Sequence, residues 1–224
     1  MNYALTDIHT HNNPRPGVPS VVDVSGRGDF VFDFEYFSAG IHPKSIGEDW
    51  REKLSDIENL AAKKGFAGVG ECGLDKFSGS NKQLQEEVFG AQISLAQRIE
   101  KPIIIHCVRL YTDAIRIIKK VSFTNPAIFH GYNGNLDITA QLLKLSNVYF
   151  SFSESTFATP ETSGSKSLPL IPVSRILTET DCNTAADITA TIQKIADKKQ
   201  IDASSLQQSI YENFMRIVDG ALAH

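Results

Sequence analysis

Five histidines and two carboxylates stand along this chain where a metal site could use them. The segment Asp7-Ile8-His9-Thr10-His11 carries two imidazoles at i and i+2, a spacing that aims both side chains to one face of an extended strand. His42 follows FSAGI, His106 ends PIIIH, His130 ends AIFH, Glu71 ends AGVGE and Asp181 ends RILTETD. Imidazole and carboxylate donors together suit Zn²⁺, Mn²⁺, Fe or Co²⁺ better than Ca²⁺. So many donors exceed one tetrahedral site. They suit two divalent ions about 4 Å apart that share a carboxylate and an activated water. A lone strand-end histidine is more often a packed or surface residue, but seven such residues in one pattern are hard to dismiss. His224, the remaining histidine, is the last residue and carries no expectation.

A parallel sheet would bring these residues together. ALTDI (4–8), SVVDV (20–24), YFSAGI (36–41), FAGVGE (66–71), PIIIHC (102–107), PAIFH (126–130), VYFSFS (148–153) and RILTETD (175–181) read as strands. In 48–64, Trp50, Leu54, Ile57, Leu60 and Ala61 recur at helical spacing. Further helices are expected over 80–100, with Ser80 as a cap, over 110–121 and 136–146, and near 185–199 and 204–219. Alternating strands and helices argue for right-handed crossovers, in a barrel or a doubly wound sheet. Either fold gathers its active site at the carboxyl ends of the strands. Residues 12–35 break the pattern with Pro14, Pro16, Pro19, Gly17, Gly26 and Gly28, and 154–174 reads as a long Ser-, Thr- and Pro-rich loop.

Cys72, Cys107 and Cys182 each follow a proposed donor. Strand alternation then aims each thiol away from the site, into packing. A site built from the three thiolates instead would need all three strands turned over. An odd, widely spaced set of cysteines suggests no disulfide framework, and a reducing cytoplasm is the expected compartment. The net charge of −4 argues against a broad basic surface that coats nucleic acid, though not against nucleic acid gripped at a small site. MNYALTDIHTH lacks the basic-then-apolar order of a signal peptide. No run reaches the roughly 20 apolar residues of a membrane helix. No membrane contact and no obligate protein partner is expected, and 224 residues at 42% hydrophobic content fit one globular domain over 1–224.

Taken in order, DIHTH, GIHP (40–43), VGECGLD (69–75), QEEVFGAQISLA (85–96), KPIIIHC (101–107), FHGYNG (129–134) and LTETD (177–181) resemble the TatD family of metal-dependent hydrolases. The match runs in register from residue 4 to about 183, and Asn213 in YENFMRIV is similar to the family's closing Asn motif. The resemblance implies an α/β fold, a TIM-barrel-like (β/α) barrel of the amidohydrolase superfamily. It implies two divalent metal ions (Zn, Mg or Mn) and hydrolysis, best known as 3′ to 5′ exonuclease action on DNA. It implies His9, His11, Glu71 and Asp181 as ligands of one ion, with Glu71 bridging to a second held by His106 and His130. His42 looks like a substrate-phosphate contact rather than a ligand. Two departures matter. Val108 stands where the family often has the Arg of HxR, with Arg109 next to it. Only about 30 residues separate His11 from His42, which implies a shortened first βα unit and a distorted or incomplete barrel.

The expected chemistry is two-metal hydrolysis of DNA or another phosphodiester, with Glu71 and Asp181 catalytic and Asp181 accepting the proton of the attacking water. Lys76 and Arg109 are candidates to steady substrate phosphate. Phe77, Tyr132 and Phe157 could stack on bases, Asp75 could cap or brace its loop, and Asp7 is expected to orient the site without binding metal. Two other readings use the same donors: hydrolysis of an amide, ester or lactone, and a metal-binding module without turnover.

Overall fold

The computed structural model describes residues 3–27, 34–158 and 162–220. Gly28 and His224, noted in the sequence, lie outside the described residues. Eight strands, β1 (Asp7–Thr10), β2 (Ser20–Asp23), β3 (Tyr36–Ala39), β4 (Phe66–Asp75), β5 (Ile103–Val108), β6 (Ala127–Phe129), β7 (Val148–Phe152) and β8 (Ile176–Thr178), form one sheet in sequence order. Every neighbouring pair is parallel. The ring nearly closes where Thr10 pairs with Asp181. There Asp181 N donates to His9 O at 3.0 Å and His11 N donates to Asp181 O at 3.0 Å. The barrel therefore has all eight of the strands read from the sequence. What is reduced is its helical jacket. Among the described residues no helix lies between β1 and β2 or between β2 and β3. Only residues 11–19 join β1 to β2, fewer than the dozen or so that a helical crossover ordinarily takes.

The jacket consists of α1 (Trp50–Ala61), α2 (Lys82–Arg98), α3 (Tyr111–Val121), α4 (Leu136–Leu142), the short α5 (Ser163–Ser167), α6 (Ile188–Lys199) and α7 (Ala203–Val218). Asn81, not Ser80, caps α2: its side chain accepts from Gln83 N and Leu84 N. The Ser80 hydroxyl instead donates to Pro43 O at 2.9 Å. Residues 154–174 are not a plain loop, since 3₁₀ turns at Glu154–Phe157, Leu168–Leu170 and Val173–Arg175 flank α5.

Period-two alternation builds the lumen in layers. Val21, Ala67, Ile104, Ile128, Tyr149 and Leu177 pack together inside the barrel, and Phe214, Ile217 and Val218 of α7 join them as a plug. Two residues further along, the same inward face presents Asp23, His106, His130, Ser151 and Glu179. An apolar floor thus lies directly beneath a polar rim. Asn213 fixes the plug, donating to Val173 O at 2.9 Å and Ile176 O at 3.0 Å.

Two strands depart from simple alternation. β1 starts at Asp7, so His9 lies within the strand, and its pairing with β2 is irregular between Asp7 and Thr10. Ile8 enters the lumen packing although its neighbour His9, like His11, turns to Glu71, so β1 is not a plain alternation. β4 continues four residues beyond Glu71, which therefore lies mid-strand rather than at the strand end. Its pairing with β5 shifts between Val69 and Cys72. Gly70 (φ +147) and Gly73 (φ +144) make this possible, because a Cβ would stand 2.6 Å from Ile104 O at the first and 2.0 Å from His106 O at the second.

Candidate metal centre

Glu71 is the hub. Its Oε1 lies 2.7 Å from His106 Nδ1, 2.7 Å from His130 Nε2 and 3.5 Å from His42 Nε2. Its Oε2 lies 3.2 Å from His11 Nε2 and 3.6 Å from His9 Nε2. Asp181 closes the group from the β8 side, with Oδ1 3.8 Å from His9 Nε2 and 3.5 Å from His11 Nε2. The structure thus brings together all six residues expected as ligands, contributed by β1, β4, β5 and the ends of β6 and β8. His42 lies just beyond β3 and is also within reach.

Burial raises the Glu71 carboxyl, but the surrounding imidazoles of His106, His11, His130 and His9 outweigh it and hold the group far below the usual carboxylate range. The hydrogen bond to Glu71 raises the His11 imidazole. Burial lowers His130, yet the buried carboxylates of Glu179 and Glu71 lift it well above its ordinary value. Burial depresses His42 to about 4, so its ring is neutral at physiological pH. The His42 Nδ1 accepts from Lys44 N at 3.0 Å, which leaves the proton of the neutral ring on Nε2.

The donor set fits divalent cations on its own geometry. The Nε2 of His9, which faces Glu71 and Asp181, is buried without a hydrogen-bond partner among the described residues, an arrangement that is rare unless something else occupies its lone pair. Donor atoms of His9, His11, Asp23 and Glu71 lie within 4.8 Å of one another, as do those of His9, His130 and Asp181, and of His42, Glu71 and His106. Imidazoles around anionic carboxylates are the ligands of Zn²⁺ and Mn²⁺.

Other expected residues divide. Lys76 and Arg109 are exposed just beyond β4 and β5 and form no ion pair with a described residue, so both are free to meet an anion. Phe77 is exposed and Phe157 is packed against the core, but Tyr132 is unavailable for stacking: it is fully buried, with its hydroxyl on Thr139 at 2.7 Å. Cys72 and Cys107 are buried as expected. Cys182 is not. It is exposed and its donor atom clusters with those of His11 and Asp181. The left-handed backbone at Asp181 (φ +52) breaks the alternation on which the expectation rested. Asp75 braces its loop through Phe77 N at 2.8 Å and faces His106. Asp7 accepts from Thr180 N at 3.0 Å and Thr180 Oγ1 at 2.6 Å, tying β1 to the segment beyond β8.

Four residues at the site were not singled out in the sequence. Asp23 ends β2 and Glu179 lies two residues before Asp181, so the strand-end rule that found the histidines covers both. Gln85 and Gln92, both in the QEEVFGAQISLA motif, are buried on α2. Gln85 accepts from Asp75 N at 2.8 Å and donates to Asp75 O at 3.2 Å. Gln92 does the same to Ile41, at 2.7 and 3.1 Å. One helix face therefore clamps the backbone ends of β3 and β4.

Comparison with known proteins agrees with this geometry. The family model described as TatD related DNase matches residues 28–219. An uncharacterized metal-dependent hydrolase of Bacillus subtilis (strain 168), YabD, is 28% identical over 200 residues, covering 83% of this chain and 78% of that protein. The 3′-5′ ssDNA/RNA exonuclease TatD of Edwardsiella piscicida is 33% identical over 155 residues, covering 66% of this chain and 58% of that protein. In fold, the chain is similar to the crystal structure of the TatD homologue YjjV from Escherichia coli K12, with a TM-score of 0.83 at 18% identity over 98% of this chain and 99% of that one. With a family match spanning most of the barrel and the hub of histidines around Glu71, the chain belongs to the TatD-related family of metal-dependent hydrolases.

Proposed function

We propose that this protein is a divalent-metal-dependent exonuclease that removes nucleotides from the 3′ end of single-stranded DNA. The observation that carries this reading is the convergence of His9, His11, His106, His130 and Asp181 on Glu71. The names of the Edwardsiella and Pantoea ananatis relatives, each a 3′-5′ ssDNA/RNA exonuclease, support the substrate class. His9, His11, Glu71 and Asp181 would hold one ion, and His106 and His130 a second that shares Glu71. Bound there, the two ions supply Lewis acidity toward phosphoryl oxygen and lower the pKa of water toward neutrality.

The chain's own groups do the rest. Asp181 reaches the open end of the barrel with its side chain 42% exposed, where it accepts the proton of the attacking water. The neutral His42 donates its Nε2–H to a phosphate oxygen, a role that its Nδ1 bond to Lys44 prepares. Lys76 and Arg109 offer exposed positive charge at the same rim, which favours the developing charge on phosphate. Arg109 thereby takes over the place left by Val108. Glu71, held ionised, links the two halves of the site. The three free cysteines suit a reducing compartment such as the cytoplasm.

The test is turnover of a 5′-labelled single-stranded oligonucleotide by protein loaded with Zn²⁺, Mn²⁺ or Mg²⁺. A ladder that shortens from the 3′ end is expected, with kcat lowered by about 100-fold or more in Asp181→Ala. Cleavage of ester, lactone or amide substrates without any phosphodiester cleavage overturns the reading in favour of amidohydrolase-type chemistry. Full metal occupancy without turnover of any substrate overturns it in favour of a binding module.

A further inference from the structure

Three of the imidazoles around Glu71 share a feature that their role as ligands does not require. Each turns one nitrogen to Glu71 and the other to a separate buried carboxylate. His11 faces Glu71 with Nε2 at 3.2 Å and Asp23 Oδ2 with Nδ1 at 3.7 Å. His130 faces Glu71 with Nε2 at 2.7 Å and Glu179 Oε1 with Nδ1 at 3.6 Å. His106 is reversed: Nδ1 faces Glu71 at 2.7 Å and Nε2 faces Asp75 Oδ2 at 3.4 Å.

The outer carboxylates are built in. All three are buried, and each is held by a backbone N–H: Asp23 by Ser25 N at 2.7 Å, Asp75 by Phe77 N at 2.8 Å and Glu179 by Gly131 N at 2.8 Å. They come from β2, β4 and the end of β8, so they surround the cluster rather than extend it from one side. Glu179 also keeps Oε2 buried without a partner, a costly arrangement for a carboxylate with no task. His9 lacks such a partner, since its Nδ1 is buried and unpaired.

We infer that Asp23, Asp75 and Glu179 are positioning residues that fix the tautomers of His11, His106 and His130, with the proton on Nδ1 of His11 and His130 but on Nε2 of His106. A neutral imidazole has one lone pair and one N–H. A carboxylate at one nitrogen draws the proton there and leaves the other nitrogen as a more basic ligand. This inference rests on the metal-binding reading above.

The test is long-range ¹H–¹⁵N correlation on zinc-loaded protein with ¹⁵N-labelled histidine, with metal affinity measured by competition against a chelator. In wild type, His106 should carry its proton on the opposite nitrogen from His11 and His130. In Glu179→Ala, the His130 Nδ1–H signal should shift while those of His11 and His106 stay, and zinc affinity should fall about 10–100-fold. Glu179→Gln retains an acceptor oxygen and should restore most of that affinity. One tautomer shared by all three histidines in zinc-loaded wild type overturns the inference and leaves the metal site standing, and this measurement needs no variant to fold. Unchanged zinc affinity in Glu179→Ala also overturns it. Absence of zinc binding by wild type overturns both the inference and the metal reading.

Discussion

Gln92→Leu removes one amide and tests how α2 holds the substrate side of the barrel. Gln92 is fully buried and applies both ends of its amide to Ile41, accepting from N at 2.7 Å and donating to O at 3.1 Å. This is the two-point pairing that an adjacent strand would make, supplied by a side chain to the residue before His42. Leucine keeps a similar volume and an apolar character, so little cavity is made. What is lost is the partner of one buried N–H and one buried C=O, each costing about 1–3 kcal/mol when orphaned. The sum is about 2–6 kcal/mol. With a urea dependence of about 1–3 kcal/mol per M, the unfolding midpoint should fall by roughly 1 M or more. Circular dichroism through a urea titration measures it, and kcat/KM on an oligonucleotide reports the displacement of His42. Ser94→Ala is the control, since Ser94 is exposed on the same helix, and it should cost less than about 0.5 kcal/mol. A Gln92→Leu midpoint within about 0.3 M of wild type, under the same range of urea dependence, would refute the clamp.

Two further outcomes follow from the same structure. Asp202 caps α7 by accepting from Ser205 N at 2.8 Å, and that bond lowers its carboxyl below the ordinary value. The stabilisation is therefore present above the usual Asp pKa and is lost as pH falls through the lowered one. The advantage of wild type over Asp202→Asn in urea midpoint should shrink in acid, and a pH-independent difference would contradict the assignment. Cys72 and Cys107 are buried and burial pushes both thiols up, while Cys182 is exposed. Native protein should show one accessible thiol to a disulfide reagent and Cys182→Ser none; three fast-reacting thiols would show that the barrel wall opens.

The site was legible in sequence because strand ends converge in a parallel barrel. His106 and His130 follow Ile104 and Ile128 by two residues, and that step carries the lumen from apolar floor to polar rim. The same step leads from Val21 to Asp23 and from Leu177 to Glu179, carboxylates that lie one and two residues before the ends of SVVDV and RILTETD. Where the backbone leaves the regular strand, pattern failed. The positive φ of Gly70 and Gly73 carries β4 past Glu71, and that of Asp181 turns Cys182 out to solvent. Tyr132 looked like a loop aromatic, but it is enclosed by Phe129, Phe150 and Phe152. The short turns and helix of 154–174 are shorter than the window over which helical periodicity can be read.

Metal stoichiometry tests whether Glu71 joins two cation sites. Wild type and Glu71→Ala are equilibrated with Zn²⁺, then with Mn²⁺, passed over a desalting column and measured for metal per chain. About two ions per wild-type chain and marked loss in Glu71→Ala are expected, with both proteins folded by circular dichroism. Wild type that retains no ion, or Glu71→Ala that retains the full wild-type complement, would contradict it.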